Sequence, residues 1–286
     1  MTQGDKDRRA YELGENYLLA LHGVTVPMLA HYRKAPDPPP DLRGIYRRLL
    51  LSAQNRNMAE GVIGGSIGDI DKPASENFDE FAKVTFNFDP VLVRQHYQQR
   101  HDQLLDDIVD KLHPRGKVRR VPNGIWPVFC RFALSGAELL ADAGSAQKFY
   151  DSFPRPRMPS SGSDCAGDGR LLESPRLLSK QVFGFGLALA CDFLKELGYY
   201  ELPKPDVFIC KIIPGLGLSE PKADDEAVCN AVVRIACHRG TTPYDVDKTF
   251  WLVGSGFFYD HPEVGKKGRV PTDYDAFIRW ARPQLE

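Results

Sequence analysis

The hydrophobic positions of this chain recur at helical spacing in most of its segments. Leu187, Ala190, Cys191 and Leu194, for example, follow the i, i+3, i+4, i+7 pattern of a helix that buries one face. No segment alternates apolar and polar residues over the length of a substantial strand. The pattern predicts helices over residues 8–34, 42–60, 89–112, 127–142, 144–152, 175–182, 187–198, 206–213, 223–239 and 243–254. The predicted fold class is therefore all-α.

Two of these predicted helices are joined by a glycine turn. Ser174 and Pro175 are good residues for the start of the first helix, and Gly184 and Gly186 indicate a turn too tight for side chains on both sides. The free backbone amides at the start of the second helix would bind a phosphate. Asp206 follows this second helix. It is a natural N-cap, and a helix N-terminus would keep its carboxylate ionised at neutral pH.

Residues 183–188, Asp206 and residues 213–218 together resemble the helix-hairpin-helix superfamily of DNA glycosylases. Asp206 matches the aspartate of that superfamily, with Phe208 in place of the usual histidine two residues later. Residues 49–57 are similar to the helix and polar loop that such enzymes insert into the base stack. The resemblance covers residues 45–70 and 174–220.

The resemblance implies roles for several residues. Asp206 would stabilise the oxocarbenium-like transition state or orient the attacking water, and Gly184 and Gly186 would contact DNA. A polar plug would fill the gap left by the extruded base, formed by Gln54, Asn55 and Asn57. The alternative for these three amides is ordinary capping of a helix end.

Strand cleavage depends on a lysine early in the second hairpin helix, which attacks the sugar to form a Schiff base in lyase-competent relatives. The matching position here is Ala188, which predicts a monofunctional glycosylase that leaves an abasic site. Lys180, on the first hairpin helix, stays open as a catalytic lysine of an 8-oxoguanine-type lyase or as a solvated helix charge. A non-catalytic helix-hairpin-helix protein that binds DNA is the alternative from another class.

The base pocket of the superfamily takes side chains from its C-terminal helices. Trp251, Phe257 and Tyr259 are the aromatic candidates here, and their ring faces would sandwich a flipped base. The alternative is that these rings belong to the core. The sequence does not identify which damaged or modified base is excised.

The resemblance also implies two helical domains with a DNA-binding cleft between them. Residues 45–198 would form the domain that carries the hairpin. Residues 1–44 and 199–286 would form the second domain, which bears Asp206 and part of the base pocket. The predicted partner is double-stranded DNA containing a modified base, bound by a monomer.

The charge balance of 37 basic against 38 acidic residues gives the whole chain no attraction to a polyanion. Local basic stretches would have to supply it, one around Lys117, Arg119 and Arg120 with Arg115, and another at residues 266–269. The N-terminus lacks the apolar segment of a secretory signal and no apolar run reaches the length of a membrane span, so we expect a cytoplasmic, nucleoid-associated protein of a bacterium or archaeon.

Cysteine spacing bears on cofactors and on the redox compartment. The six scattered cysteines predict free thiols in a reducing cytosol, at positions Cys130, Cys165, Cys191, Cys210, Cys229 and Cys237. Cys229 and Cys237 lack the close-spaced partners of the iron–sulfur cluster that some superfamily members carry. We therefore expect no iron–sulfur cluster and no zinc, and leave open a monovalent cation at the hairpin.

Overall fold

The computed structural model describes residues 1–54, 60–67, 76–114, 116–158 and 170–286. These residues form α-helices, and their only β pairing is a pair of isolated bridges near Arg269. The all-α class predicted from the hydrophobic pattern is confirmed. Within the described ranges, no helix is both long and apolar enough to cross a membrane.

The helices follow one another with short connections. In chain order they are α1 (Gln3–Leu19), α2 (Val26–Arg33), α3 (Leu42–Gln54), α4 (Glu60–Ile67), α5 (Glu76–Val84), α6 (Pro90–Tyr97), α7 (His101–Leu112), α8 (Ile125–Ala143), α9 (Ala146–Ser152), α10 (Glu173–Gln181), α11 (Leu187–Glu196), α12 (Ile209–Gly215), α13 (Asp225–Arg239), α14 (Pro243–Ser255) and α15 (Tyr274–Ala281).

Two long predicted helices are each divided by a backbone turn. The 8–34 segment breaks at Gly23, whose φ is +85°, and Thr25 then caps α2 by accepting a hydrogen bond from Met28 N. The 89–112 segment breaks at Gln98 and Gln99, both with positive φ. Hydrophobic spacing continues through such turns, so it does not reveal them.

Three helices were not predicted, namely α4, α5 and α15. Helix α5 buries Phe78 and Phe81, and α15 buries Phe277 and Ala281 after an N-cap by Asp273. Each has only eight or nine residues. A pattern this short contains too few apolar repeats to be distinguished from a loop.

Contacts between Cα atoms divide the chain into two compact units, which we describe separately. Unit 2 comprises residues 37–154 and 174–193. Helix α8 lies in its core and packs against α3, α6 and α7. Tyr46 on α3 donates its hydroxyl hydrogen bond to Ala133 O over 3.1 Å, and Gly136 lets α8 approach Leu49 closely.

Unit 1 comprises residues 1–36, 155–173 and 194–286. Helix α14 packs against α1, α2, α12, α13 and α15. The predicted core face of Val246, Phe250 and Val253 is fully buried. Because neighbours surround α14, Asp247 and Lys248 are also buried, and their charges must be paired within the unit.

Among the described cysteines, Cys237 differs from the prediction. Cys237 on α13 is disulfide-bonded, whereas Cys130, Cys191, Cys210 and Cys229 are in the thiol form. The prediction of free thiols is therefore wrong for Cys237. Disulfides persist mainly in oxidising compartments and in intracellular proteins of hyperthermophiles. Cysteine chemistry consequently does not support the reducing cytosol that the sequence predicted.

Gly256, just after α14, cannot be replaced without strain. Its φ is +59°, and a Cβ there would collide with the backbone carbonyl oxygen of Val270. We expect Gly256→Ala to lower the free energy of unfolding by about 2 kcal/mol, measured by urea denaturation. Gly240→Ala is the matched control, because Gly240 has a φ of +72° but open space at its Cβ position. It should cost about 1 kcal/mol, and equal losses would contradict the collision.

Candidate catalytic site and DNA-contacting hairpin

The predicted hairpin is present in unit 2. Helix α10 ends at Gln181 and α11 begins at Leu187. Phe185 N donates a hydrogen bond to Val182 O over 3.2 Å, which closes the turn. Gly184 has a φ of +77°, a conformation that disfavours any other residue. The glycine at this position is therefore required by the turn.

Gly186 differs from Gly184. It is exposed, its φ is not positive, and a Cβ added to it would meet nothing within 4 Å. The expectation that the turn is too tight for side chains on both sides is therefore wrong at Gly186. The chain itself does not need a glycine here. A bare backbone at an exposed helix start is what the close approach of a ligand requires.

The start of α11 offers backbone amides that have no hydrogen-bond partner among the described residues. Ala190 N donates to Gly186 O over 3.0 Å, which is the first hydrogen bond of the helix. The amides of the three residues before Ala190 have no carbonyl four residues upstream within the helix. These amide N–H groups point outward from the first turn of α11, and the helix dipole favours an anion at this end.

Two phenylalanines of the turn have opposite environments. Phe185 is buried and packs against Phe132 and Phe193, with ring centroids 4.8 and 5.6 Å away. Phe183 is 42% exposed, and the Arg131 guanidinium lies 4.3 Å from its ring centroid. Phe185 thus anchors the hairpin in unit 2, while Phe183 faces solvent.

Arg131 also connects the hairpin with the first basic stretch. Its guanidinium donates to Pro122 O, at the end of the segment that carries Lys117, Arg119 and Arg120. Arg120 forms an ion pair with Asp106 over 2.5 Å at the surface. Arg115 lies outside the described residues. Positive side chains are therefore found on the same unit as the exposed hairpin.

The position at the start of α11 that holds a lysine in lyase-competent glycosylases holds no lysine here. Ala188 occupies that position in the first turn. Lys180 is exposed in the last turn of α10. Its ammonium group therefore lies in water and not in the desolvated environment that activates a lysine nucleophile.

Asp206, in unit 1, caps the turn that leads into α12. Its Oδ1 accepts hydrogen bonds from Phe208 N over 2.9 Å and Ile209 N over 3.0 Å. Its carbonyl oxygen accepts from Cys210 N over 2.9 Å. Both side-chain bonds use Oδ1, and no hydrogen bond to Oδ2 is found within the described part of the chain. The carboxylate is thus fixed by one oxygen and can offer the other.

The environment of Asp206 raises the pKa of its carboxyl group above the ordinary value. Burial is the main cause, and the negative charge of Asp247 adds to it. The hydrogen bond from Ile209 N and the charges of Lys204 and Lys195 act in the opposite direction but do not outweigh burial. The helix N-terminus alone would shift this pKa in the opposite direction, so the sequence did not reveal the burial that outweighs it. The expectation of an ionised carboxylate at neutral pH stays a prediction.

Asp247 is part of a buried ion pair beside Asp206. Its Oδ2 lies 2.5 Å from Lys195 Nζ, and the two side chains are only 2% and 3% exposed. Its Oδ1 accepts a hydrogen bond from Lys204 N over 3.0 Å. Sequence reasoning missed Asp247 and Lys195. The available signal was that α14 is apolar on several faces, so a charged residue within it has little access to water.

The three aromatic pocket candidates lie together. Tyr259 contacts Trp251 and Phe257, with ring centroids 6.1 and 5.9 Å apart and interplanar angles of 66° and 63°. Trp251 and Phe257 are half-buried and Tyr259 is exposed. Edge-to-face rings do not form a parallel slot for a base. Their exposed faces offer stacking surfaces instead.

Lys248 lies among these rings and was also missed. Its Nζ is 3.0 Å from Glu196 Oε1, and it lies 5.8 Å from the ring centroids of Trp251 and Tyr259. The aromatic cluster therefore holds a cation next to its rings.

The polar plug is only partly described. Gln54, the last residue of α3, is 2% exposed, so its amide does not face solvent in this structure. Asn55 and Asn57 lie outside the described residues. The plug hypothesis is thus restricted to these two asparagines.

A surface cavity of about 450 Å³ lies in unit 2, away from the hairpin residues, lined by α6, α8 and the turn at Gln98 and Gln99. None of the residues singled out from the sequence lines it. Among the described residues, no group of three His, Cys, Asp or Glu side chains could hold a metal ion.

Comparisons with protein-family models, with curated proteins and with solved structures return no match to this chain. The resemblance to the helix-hairpin-helix glycosylases therefore depends on the motifs and on the local geometry.

Proposed function

We propose that this protein is a monofunctional DNA glycosylase of the helix-hairpin-helix type, which hydrolyses the N-glycosidic bond of a damaged or modified base. The observation that carries the proposal is Asp206. Two backbone amides fix its Oδ1, and its Oδ2 has no hydrogen bond within the described residues. A carboxylate held in this way can act on a sugar or a water without first reorganising.

The chemistry needs one anionic group next to the deoxyribose. As the bond between C1′ and the base nitrogen breaks, positive charge develops on the sugar, and the Asp206 carboxylate stabilises that charge. Its Oδ2 alternatively accepts a proton from the water that attacks C1′. The products are the free base and an abasic site.

The hairpin supplies the DNA contact. The open space at Gly186 suits a backbone phosphate, as do the amides at the start of α11, which are unpaired within the described part of the chain. Arg131, beside the exposed ring of Phe183, adds a positive charge on the same unit. Such contacts position DNA without reading its sequence, which suits an enzyme that searches for one altered base.

Substitution of Gly186 separates DNA binding from folding. We expect Gly186→Ala to weaken duplex binding about tenfold, because a methyl group blocks a charge-assisted hydrogen bond from the backbone. Thermal stability should be unchanged, since no atom lies within 4 Å of the added methyl. Fluorescence anisotropy with a labelled duplex measures the affinity. Unchanged affinity would remove the hairpin from the DNA interface.

The aromatic cluster is the proposed binding surface for the extruded base. Trp251, Phe257 and Tyr259 are each at least partly accessible, so a flipped base can stack on one of their faces. The protein would act as a monomer on double-stranded DNA, without zinc or an iron–sulfur cluster.

The reaction type is tested by incubating the protein with duplexes that each carry one oxidised, alkylated, mismatched or hypermodified base. A monofunctional enzyme releases a base and leaves strands that break only after alkaline treatment. Borohydride should trap no covalent adduct, because Ala188 replaces the nucleophilic lysine. A trapped adduct that disappears in Lys180→Gln would instead establish the bifunctional lyase.

A further inference from the structure

We propose that Asp247 is a positioning residue for Asp206, and that Lys195 is the counter-ion that makes a buried Asp247 tolerable. The role of Asp206 in this inference rests on the proposed function. Asp247 does not cap or contact the Asp206 carboxylate through a hydrogen bond. It acts through the backbone of Lys204 and through its own charge.

The backbone route consists of two consecutive hydrogen bonds. Asp247 Oδ1 accepts from Lys204 N over 3.0 Å, and Lys204 O accepts from Asp206 N over 2.8 Å. The first bond attaches the turn before Asp206 to α14, a helix buried on several faces. The second continues from Lys204 to the backbone of Asp206. The direction of the Asp206 side chain therefore depends on a carboxylate in the core.

Burying the Lys195–Asp247 ion pair costs desolvation free energy. Both groups leave water almost completely, with 3% and 2% exposure, and such desolvation is only offset by good geometry. Lys195 Nζ is 2.5 Å from Oδ2, while Oδ1 is used by Lys204 N. A neutral side chain could fill this space at lower cost. Retaining a buried charge next to Asp206 is understandable if the charge itself has a function.

The charged and titratable groups that face Asp206 come from α11, α12, α14 and the loop before Asp206. Asp247 on α14 opposes ionisation of Asp206, whereas Lys195 on α11 and Lys204 in the preceding loop favour it. Cys210 on α12 is the neighbouring thiol, and its own pKa is raised to about 11, so it is neutral. Asp247 has a larger influence on the pKa of Asp206 than either lysine.

Removing either charge should shift the pKa of Asp206, in opposite directions. Base release needs the ionised carboxylate, so it is lost as the pH falls through the pKa of Asp206. Asp247→Asn removes a negative charge and should lower that pKa. Lys195→Met removes a positive charge and should raise it. The double substitution should still lower it, because the influence of Asp247 exceeds that of Lys195.

The test is a carbon-13 NMR titration of the Asp206 carboxyl carbon in the full chain, assigned with the Asp206→Asn variant. We expect the midpoint to fall in Asp247→Asn relative to wild type. Asp247→Asn leaves Lys195 buried without its counter-ion and can prevent folding, so the Lys195→Met/Asp247→Asn double variant is titrated as well. A midpoint that stays the same or rises in the folded variant overturns the proposal.

Asp225→Asn is the matched control. Asp225 is exposed on α13 and contacts Cys210 Sγ at 3.8 Å, yet it is not among the groups that shift Asp206. Its removal should leave the midpoint unchanged. An equal shift in this variant would show that any nearby charge acts as Asp247 does.

Amide hydrogen exchange tests the two consecutive hydrogen bonds that link Asp247 to the backbone of Asp206. Lys195→Met/Asp247→Leu removes the acceptor for Lys204 N, whereas Lys195→Met/Asp247→Asn retains one. Amide hydrogen exchange at Lys204 should accelerate only in the leucine variant. Its single-turnover rate of base release should fall about 10²-fold, with duplex affinity unchanged, because a displaced group loses its alignment. Equal exchange in both variants contradicts the positioning role.

Failure of this inference is distinguishable from failure of the proposed function. The NMR titration and the amide exchange need no substrate, so they report on Asp247 even if wild type releases no base. Conversely, base release by wild type with an unshifted titration in Asp247→Asn retains the glycosylase and removes the positioning role.

Discussion

Replacing Asp206 with asparagine should reduce the single-turnover rate of base release by about 10³-fold or more, because the sugar then lacks its anionic partner. Asparagine is as good an N-cap as aspartate, so it can accept the same hydrogen bonds from Phe208 N and Ile209 N. The fold and the duplex affinity should therefore be retained. The rate is measured with enzyme in excess over duplex, and the affinity by fluorescence anisotropy.

Asp225→Asn serves here too as the matched control, since it removes one carboxylate of unit 1 without touching Asp206. Its rate of base release should equal that of wild type. If Asp206→Asn releases base at the wild-type rate, Asp206 has only a capping role.

Asp7→Ala should lower the free energy of unfolding by about 3 kcal/mol. Asp7 on α1 is fully buried and accepts from Arg234 Nε over 2.8 Å and from Gln3 Nε2 over 2.9 Å. His238 Nδ1 lies 2.7 Å from its Oδ2. The substitution leaves these donors without an acceptor between α1 and α13. Arg234 and His238 retain some access to water, which limits the loss.

Glu12→Ala is the control for Asp7→Ala, because Glu12 also lies on α1 and pairs with an arginine, Arg9, at 3.7 Å. Both partners are more than 40% exposed, so the pair contributes about 0.5 kcal/mol or less. Urea denaturation measures both variants. Equal losses of stability would show that the packing of α1 against α13 does not depend on the buried Asp7 carboxylate.

The sequence predicted the helical class and the hairpin because both depend on local chemistry. Helical spacing identified most helices. The turn at Gly184 was also predicted, and its backbone has the positive φ that requires a glycine. The sequence analysis also expected a glycine to be necessary at position 186, but the space around Gly186 is open. Whether a glycine is needed by its own chain depends on atoms that are distant in sequence.

The charge environment of Asp206 was beyond sequence reasoning. Asp247 and Lys195 are 52 residues apart, and their pairing results from the tertiary packing of unit 1. Capping chemistry, which is local, predicts a lowered pKa, whereas burial and Asp247 raise it. The disulfide at Cys237 likewise depends on tertiary structure rather than on spacing.

The most direct test is to measure the free base and the abasic site in the same reaction, by mass spectrometry, over the panel of modified-base duplexes. We expect wild type to produce both in equal amounts from at least one duplex, and Asp206→Asn to bind that duplex without producing either. Tight binding of the duplexes by wild type with no release of any base would contradict the glycosylase and favour a DNA-binding protein without catalytic activity.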